Sequence, residues 1–123
     1  MKRKKILLVD DSETILMLEK MILKDGPYDI ITAMDGKEAV AKAEAEKPDL
    51  ILMDVLMWDM SGFAVCRQLR RRQATNTIPI IMVTSESGPE DIKTGFDSGC
   101  TDYITKPIKG PELISRVGKY LAE

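Results

Sequence analysis

Four short apolar segments of this 123-residue chain each end in side chains that could bind a cation or a phosphoryl group. In chain order they are residues 6–9 before Asp10 and Asp11, residues 50–53 before Asp54, residues 80–83 before Thr84 and Ser85, and the weaker segment 103–105 before Lys106 and Pro107. Ligands bind at the carboxyl ends of the strands in a parallel sheet that is covered by helices on both faces. The four ends are therefore predicted to form one acidic pocket with a lysine beside it.

The residue types in this pocket favour metal-assisted phosphoryl chemistry. Asp10, Asp11 and Asp54 would repel one another in a half-buried crevice, and a divalent cation would relieve the repulsion. Oxygen ligands favour Mg²⁺ or Mn²⁺ over zinc or copper. A carboxylate can accept a phosphoryl group as an acyl phosphate. Asp54 is the best candidate, because its central strand is predicted to lie between the acid pair and Thr84. Lys106 and the Thr84 hydroxyl would then hold the phosphoryl oxygens.

The composition indicates one globular domain and excludes several kinds of chemistry. Hydrophobic residues make up 44% of the chain and charged residues 31%, as in ordinary soluble domains. We therefore predict a single domain over residues 1–123. The net charge of −2 gives no general attraction to nucleic acid. The chain contains 0 histidines, which excludes a Ser-His-Asp triad, an imidazole metal site and an internal phosphohistidine.

The N-terminus and the cysteines both predict a cytoplasmic protein. Residues 1–5 are basic at four positions, but only four apolar residues follow before the first aspartate. A signal peptide needs an apolar stretch of about 7–15 residues, so this segment is predicted to be a strand. Cys66 and Cys100 are far apart and lack a CxxC spacing, and we expect two buried, reduced thiols.

Strand and helix patterns alternate five times along the chain. Ser12 and Asp35 are predicted to cap the first two helices, with a capping box at residues 35–38. The later helices are expected over residues 63–72, 89–98 and from Pro111 onward, the last with an apolar stripe. The first, third and fourth strands are continuously apolar, which indicates burial on both faces. We predict an α/β fold of the flavodoxin-like (βα)5 type, a doubly wound five-stranded parallel sheet in the order 2-1-3-4-5.

The four polar strand ends, in this order and at these separations, resemble the receiver domain of bacterial two-component response regulators. The resemblance covers essentially the whole chain and is to the stand-alone, single-domain type. It implies that Asp54 is the phosphoacceptor and that Mg²⁺, or Mn²⁺, is bound by Asp11, Asp54 and the backbone carbonyl of Leu56. Asp10 would act on the metal through water.

The same resemblance implies roles for the remaining site residues. Thr84 and Lys106 would contact the phosphoryl group, and the Lys106–Pro107 bond would be cis. Thr84 and Tyr103 would be the switch residues. The chain departs from the family at Trp58, where a proline is usual, and this leaves the shape of the loop after Asp54 open.

The resemblance implies a signalling switch that alters partner binding through the face formed by helix 4, strand 5 and helix 5. The phosphoryl donor would be a histidine kinase, a histidine phosphotransfer protein or a small acyl phosphate. We expect a downstream protein target, no nucleic-acid or membrane partner and a monomer. If the chain is the full-length protein, no output domain follows residue 123 and output would be by protein binding. The chain would not be an enzyme, except that it promotes its own phosphorylation and dephosphorylation.

Two other functions remain open at this point. The first is a Mg²⁺-dependent aspartyl phosphatase of the haloacid-dehalogenase type, which also uses Asp, Thr or Ser, and Lys. That family has a DxD pattern after its first strand, whereas this chain has Asp10-Asp11-Ser12. The second is an unphosphorylated docking module, although every chemical group expected of an active receiver is present.

Overall fold

The computed structural model describes residues 3–122 and contains five strands that alternate with five helices. In chain order the elements are β1 (Lys4–Val9), α1 (Glu13–Leu23), β2 (Tyr28–Ala33), α2 (Gly36–Glu46), β3 (Leu50–Met53), α3 (Gly62–Arg70), β4 (Ile80–Thr84), α4 (Pro89–Asp97), β5 (Asp102–Thr105) and α5 (Gly110–Leu121). No helix within residues 3–122 is both long enough and apolar enough to cross a bilayer.

Short polar side chains set the start of three of the helices. Ser12, Asp35 and Ser61 each accept a hydrogen bond from the backbone N–H three residues later, at 3.3, 2.7 and 3.2 Å. Each bond satisfies a donor that has no partner inside its helix. The capping box predicted at residues 35–38 forms in a modified way, because the Glu38 carboxylate accepts from the backbone N–H of Met34 rather than from that of Asp35.

The five strands form one parallel sheet in the order β2-β1-β3-β4-β5, as predicted. Val9 pairs with Met53 across β1 and β3, so the acids that follow these two residues leave the sheet at the same level. Thr84 pairs with Thr105 across β4 and β5, which places Lys106 one residue beyond that pair. The register therefore brings the polar strand ends to one edge of the sheet.

Two apolar cores, one on each face of the sheet, hold this edge in place. Alternate residues of β1 point to opposite faces, with Leu7 and Val9 in one core and Ile6 and Leu8 in the other. Helices α2 and α3 contribute buried residues to the first core, and α1 and α5 to the second. Strands β3 and β4 are buried along their whole length, which is the burial that their continuous apolar sequence predicts.

Some sequence-based details differ from the structure. Strand β2 begins at Tyr28, earlier than its most apolar residues, and α3 ends at Arg70 rather than near residue 72. In the apolar stripe of α5, Leu113, Val117 and Leu121 are buried, whereas Ile114 is exposed because it lies off their i, i+4, i+8 face. Cys66 and Cys100 are buried free thiols, as predicted.

Candidate functional site

Three aspartates meet at the carboxyl ends of β1 and β3. Asp10 and Asp54 are buried, Asp11 is exposed, and each offers a carboxylate oxygen within 4.8 Å of the others. The backbone N–H of Asp54 donates to the carbonyl of Val9 at 3.0 Å, which extends the β1–β3 pairing to the acids themselves. The sheet register thus imposes the close approach of these carboxylates, and their oxygen donors suit a hard divalent cation.

The side chain of Lys106 joins two of the acids. Its ammonium nitrogen lies 3.1 Å from Asp10 Oδ2 and 3.1 Å from Asp54 Oδ2. The backbone N–H of Lys106 donates to the carbonyl of Thr84 at 2.8 Å, which holds the start of the following loop against β4. The Lys106–Pro107 bond is cis, as the resemblance implied.

Burial affects both partners of this ion pair. It raises the pKa of Asp10, and the hydrogen bonds from the Ser12 N–H and from Lys106 only partly oppose this rise. At Lys106 burial favours the neutral amine, but the two carboxylates outweigh burial and raise the pKa of the lysine. Burial is therefore the main obstacle to ionisation of Asp10, and a divalent cation beside it would favour its carboxylate form.

The end of β4 and the residues that follow it lie on the side of β3 opposite to β1. Thr84 is fully buried at the end of its strand, and its hydroxyl oxygen accepts a hydrogen bond from the backbone N–H of Glu86 at 3.3 Å. Ser85, which sequence reasoning grouped with Thr84, is exposed. The Tyr103 hydroxyl donates to the backbone carbonyl of Glu86 at 2.6 Å. Burial, followed by the charges of Asp91 and Glu86, raises the pKa of Tyr103 to about 12.

The loop between β3 and α3, residues 54–61, forms the other rim of the pocket. The side chains of Leu56 and Trp58 are 55% and 77% exposed. The Asp54 carboxylate accepts a hydrogen bond from the backbone N–H of Val55 at 2.7 Å, and the Gly62 N–H donates to the Val55 carbonyl at 2.8 Å. A large aromatic side chain therefore projects from a loop whose two ends are tied together.

Sequence reasoning missed a buried acid beneath the cluster. Glu19 on α1 is 2% exposed, and its Oε1 atom has no hydrogen-bond partner among residues 3–122. Burial, with a smaller contribution from Asp10, raises the pKa of Glu19 to about 8. The spacing from Leu16 to Glu19 to Leu23 places this acid on the inward face of the helix, and that pattern could have revealed it.

The fold and the site together define a flavodoxin-like domain with a phosphoryl-compatible acidic pocket at its switch point. The model of the response regulator receiver domain family matches residues 6–118. The chain belongs to this family.

Comparison with individual proteins gives the same family assignment. The chain is 46% identical over 114 residues to the alkaline phosphatase synthesis transcriptional regulatory protein PhoP of Bacillus subtilis. This alignment covers 93% of the present chain and 47% of PhoP. It is 40% identical to the DNA-binding dual master transcriptional regulator RpaA of Synechocystis, with coverages of 92% and 47%. Among solved structures, the chemotaxis response regulator CheY4 of Vibrio cholerae matches with a TM-score of 0.91 and 35% identity, over 98% of this chain and all of that one (100%).

The curated relatives correct one expectation from the sequence. The chain spans about half the length of PhoP and RpaA, and RpaA is described as DNA-binding. The expectation that the chain has no nucleic-acid partner conflicts with this description of RpaA. The net charge of one domain was too narrow a basis for that expectation.

Proposed function

We propose that this chain is a cytoplasmic, phosphorylation-dependent signalling switch, a single receiver domain that accepts a phosphoryl group on Asp54. The observation that carries the proposal is the position of Lys106, whose ammonium nitrogen lies 3.1 Å from both Asp10 and Asp54 at the sheet edge. Membership of the receiver family supports the same assignment.

Phosphoryl transfer to Asp54 would use the side chains of Asp54 and Lys106. An Asp54 carboxylate oxygen forms a bond to phosphorus while the bond from phosphorus to the donor breaks, and the electron pair of that bond leaves with the donor. Because the chain lacks histidine, the donor must be the phosphohistidine of another protein or a small acyl phosphate. Lys106 is placed to exchange its contact with Asp54 for one with the new phosphoryl oxygens, and this limits the build-up of charge.

The metal expected at this site is Mg²⁺ or Mn²⁺. Asp11, Asp54 and the Leu56 carbonyl would hold it, with Asp10 acting through water, and their oxygen atoms are a fitting donor set. When bound, the ion supplies positive charge that offsets the three carboxylates and the phosphoryl oxygens. The close approach of three carboxylates to the single ammonium group of Lys106 supports this need for positive charge.

The output is proposed to leave the site through Thr84 and Tyr103. When the Thr84 hydroxyl turns towards a phosphoryl oxygen, it gives up the bond from the Glu86 N–H, and Glu86 also holds the Tyr103 hydroxyl. Thr84 and Tyr103 therefore act on the same short segment, which leads into α4. The surface formed by α4, β5 and α5 would then change its affinity for a downstream protein.

Intact-mass spectrometry with acetyl phosphate and Mg²⁺ tests the acceptor. We expect one added phosphoryl group in the wild-type chain and in the control variant Asp25→Asn, and none in Asp54→Asn. Equal labelling of Asp54→Asn would reject the assignment. Repeated turnover of a small phosphate ester would instead support the aspartyl phosphatase, and stable partner binding without any labelling would support a docking module.

A further inference from the structure

The side chain of Asp59 bridges two parts of the molecule that are distant in sequence. Its Oδ1 atom accepts hydrogen bonds from the backbone N–H groups of Gly36 and Met60, both at 2.9 Å. Its Oδ2 atom accepts a third from the N–H of Lys37, also at 2.9 Å. One carboxylate therefore ties the loop of residues 54–61 to the first turn of α2.

The bridge completes the capping of α2. The first N–H groups of a helix have no partner inside it. The side chain of the helix's own cap, Asp35, accepts from the Glu38 N–H, and Asp59 supplies acceptors for the two preceding donors, Gly36 and Lys37. These hydrogen bonds lower the pKa of Asp59, and the bond from the Gly36 N–H contributes most. The carboxylate therefore stays charged at the positive end of the helix dipole.

Close packing at the same place shows that the approach of loop and helix is specific. A Cβ atom on Gly36 would lie 2.4 Å from Cγ of Met60 and 3.0 Å from Cγ2 of Val65, so a larger first residue of the helix would have to push these side chains aside. The middle of the loop has less support from packing, because the side chains of Leu56 and Trp58 are exposed and gain little from burial.

We propose that Asp59 is a positioning residue, which clamps the loop of residues 54–61 to α2 and thereby holds the Leu56 carbonyl in place for the metal. This inference rests on the proposed function, in which that carbonyl is a ligand. The clamp acts only through the backbone, since Asp59 itself contacts neither the acids nor Lys106 among its hydrogen bonds in residues 3–122.

The experiment compares Asp59→Ala and Asp59→Asn with the control Glu38→Gln. Glu38 lies in the same first turn of α2 and carries the same charge, but its carboxylate bonds to Met34 rather than to the loop. Mg²⁺ affinity is measured by the fluorescence of Trp58, the only tryptophan, and independently by the amide chemical shift of Asp11. We expect the Mg²⁺ dissociation constant to rise about threefold to tenfold in Asp59→Ala and less in Asp59→Asn, whose amide oxygen still accepts hydrogen bonds.

A second measurement needs no metal. Amide hydrogen exchange at Gly36 and Lys37 should be at least about tenfold faster in Asp59→Ala than in Glu38→Gln, and backbone relaxation should show greater mobility at residues 56–58. Circular dichroism and thermal unfolding check that each variant is folded.

The outcomes separate the clamp from the proposed function. Unchanged Mg²⁺ affinity and unchanged exchange in Asp59→Ala would overturn the clamp, as would an equal loss of affinity in Glu38→Gln, because both variants remove one negative charge. If the wild-type chain bound no Mg²⁺ and accepted no phosphoryl group, the proposed function would fail, and with it the metal-positioning role of Asp59. The exchange data would still decide whether Asp59 holds the loop.

Discussion

The two helices that follow the central strands β3 and β4 are the same length, but they are attached to the domain very differently. Helix α3 and helix α4 contain nine residues each. Within α3, Gly62, Val65, Cys66 and Leu69 are buried, whereas within α4 the buried residue is Gly95 alone. The helix that follows β3 is therefore built into the core, whereas the helix that follows β4 rests on the surface of the core.

The loops that lead into these helices differ in the same way. The loop before α3 is held by Asp59 and by the bond from the Gly62 N–H to the Val55 carbonyl. The segment before α4 is held at Glu86 by Thr84 and Tyr103, the two residues proposed to move on phosphorylation. The ties on the α3 side do not involve Thr84 or Tyr103, whereas those on the α4 side do.

This difference matches the two tasks that a switch must combine. Phosphoryl transfer requires donors and acceptors held in one geometry. Signalling requires an element whose alternative position costs only a few kcal/mol. Elements with few buried contacts open locally at a lower free energy than the core. We therefore expect α4 to open by itself and α3 only when the whole domain unfolds.

The largest effect is expected from Gly62→Ala at the start of α3. An added Cβ would lie 2.1 Å from the backbone carbonyl oxygen of Asp54, and a backbone atom cannot rotate away as a side chain can. We expect a loss of roughly 4 kcal/mol or more in the free energy of unfolding, measured by urea denaturation.

The matched control is Gly118→Ala on α5. A Cβ atom there would meet nothing within 4 Å, so alanine should stabilise the helix by up to about 1 kcal/mol. A similar stability for both variants would show that the start of α3 yields to an added Cβ as readily as an open site on α5, and α3 could no longer be regarded as the firmly held helix.

Much of this architecture follows from the sequence alone, because it depends on patterns that repeat. Continuous apolar runs predict buried parallel strands, and strand ends in a parallel sheet must share one edge, so the meeting of Asp10, Asp54 and Lys106 could be predicted. The side-chain caps at Ser12 and Asp35 are likewise local signals.

The features that the sequence did not reveal depend on long-range packing. Asp59 looks like an ordinary loop acid until the fold brings Gly36 and Lys37, more than 20 residues away, beside it. Glu19 has the position of a core residue relative to Leu16 and Leu23, but sequence reasoning left it out of the apolar face of α1. A carboxyl group at a core-facing position conflicts with the usual exposure of acids, so a search for apolar residues passes over it.

A smaller effect is expected from Glu19→Gln, and it depends on pH. The pKa of Glu19 in the folded chain, about 8, lies above its ordinary value of 4.5. Between these values the folded chain binds more protons than the unfolded chain, so the stability that Glu19 contributes is full below pH 4.5 and is lost as the pH rises through 8. The glutamine variant should remove this loss and be more stable than the wild type by about 2 kcal/mol at pH 8, since the buried amide still lacks full hydrogen bonding.

This stabilisation can separate the two sides of the pocket. Amides that exchange only by global unfolding should slow about thirtyfold in Glu19→Gln at pH 8, and we expect this for α3. Amides of α4 should keep their exchange rates, because local opening does not depend on global stability. The control is Glu13→Gln, an exposed residue of the same helix. Equal slowing in both helices would contradict independent opening of α4.

The smallest effect on stability is expected from Gly95→Ala in α4, although it adds a methyl group in a crowded place. The new Cβ would lie 2.9 and 3.0 Å from Cε2 and Cδ2 of the Tyr103 ring and 3.3 Å from Sγ of Cys100. Alanine favours the helix by about 1 kcal/mol over glycine, and the Tyr103 ring can turn away, unlike the backbone carbonyl that Gly62→Ala would meet.

When the Tyr103 ring turns away, its hydroxyl loses the hydrogen bond to the Glu86 carbonyl. We therefore expect a net change in stability of less than about 1 kcal/mol, together with clear changes in the ring signals of Tyr103 and the amide signals of residues 86–88 in NMR spectra. A loss of stability as large as that of Gly62→Ala, with the Tyr103 signals unmoved, would mean that α4 is held as firmly as α3 and that Tyr103 cannot act as the moving part.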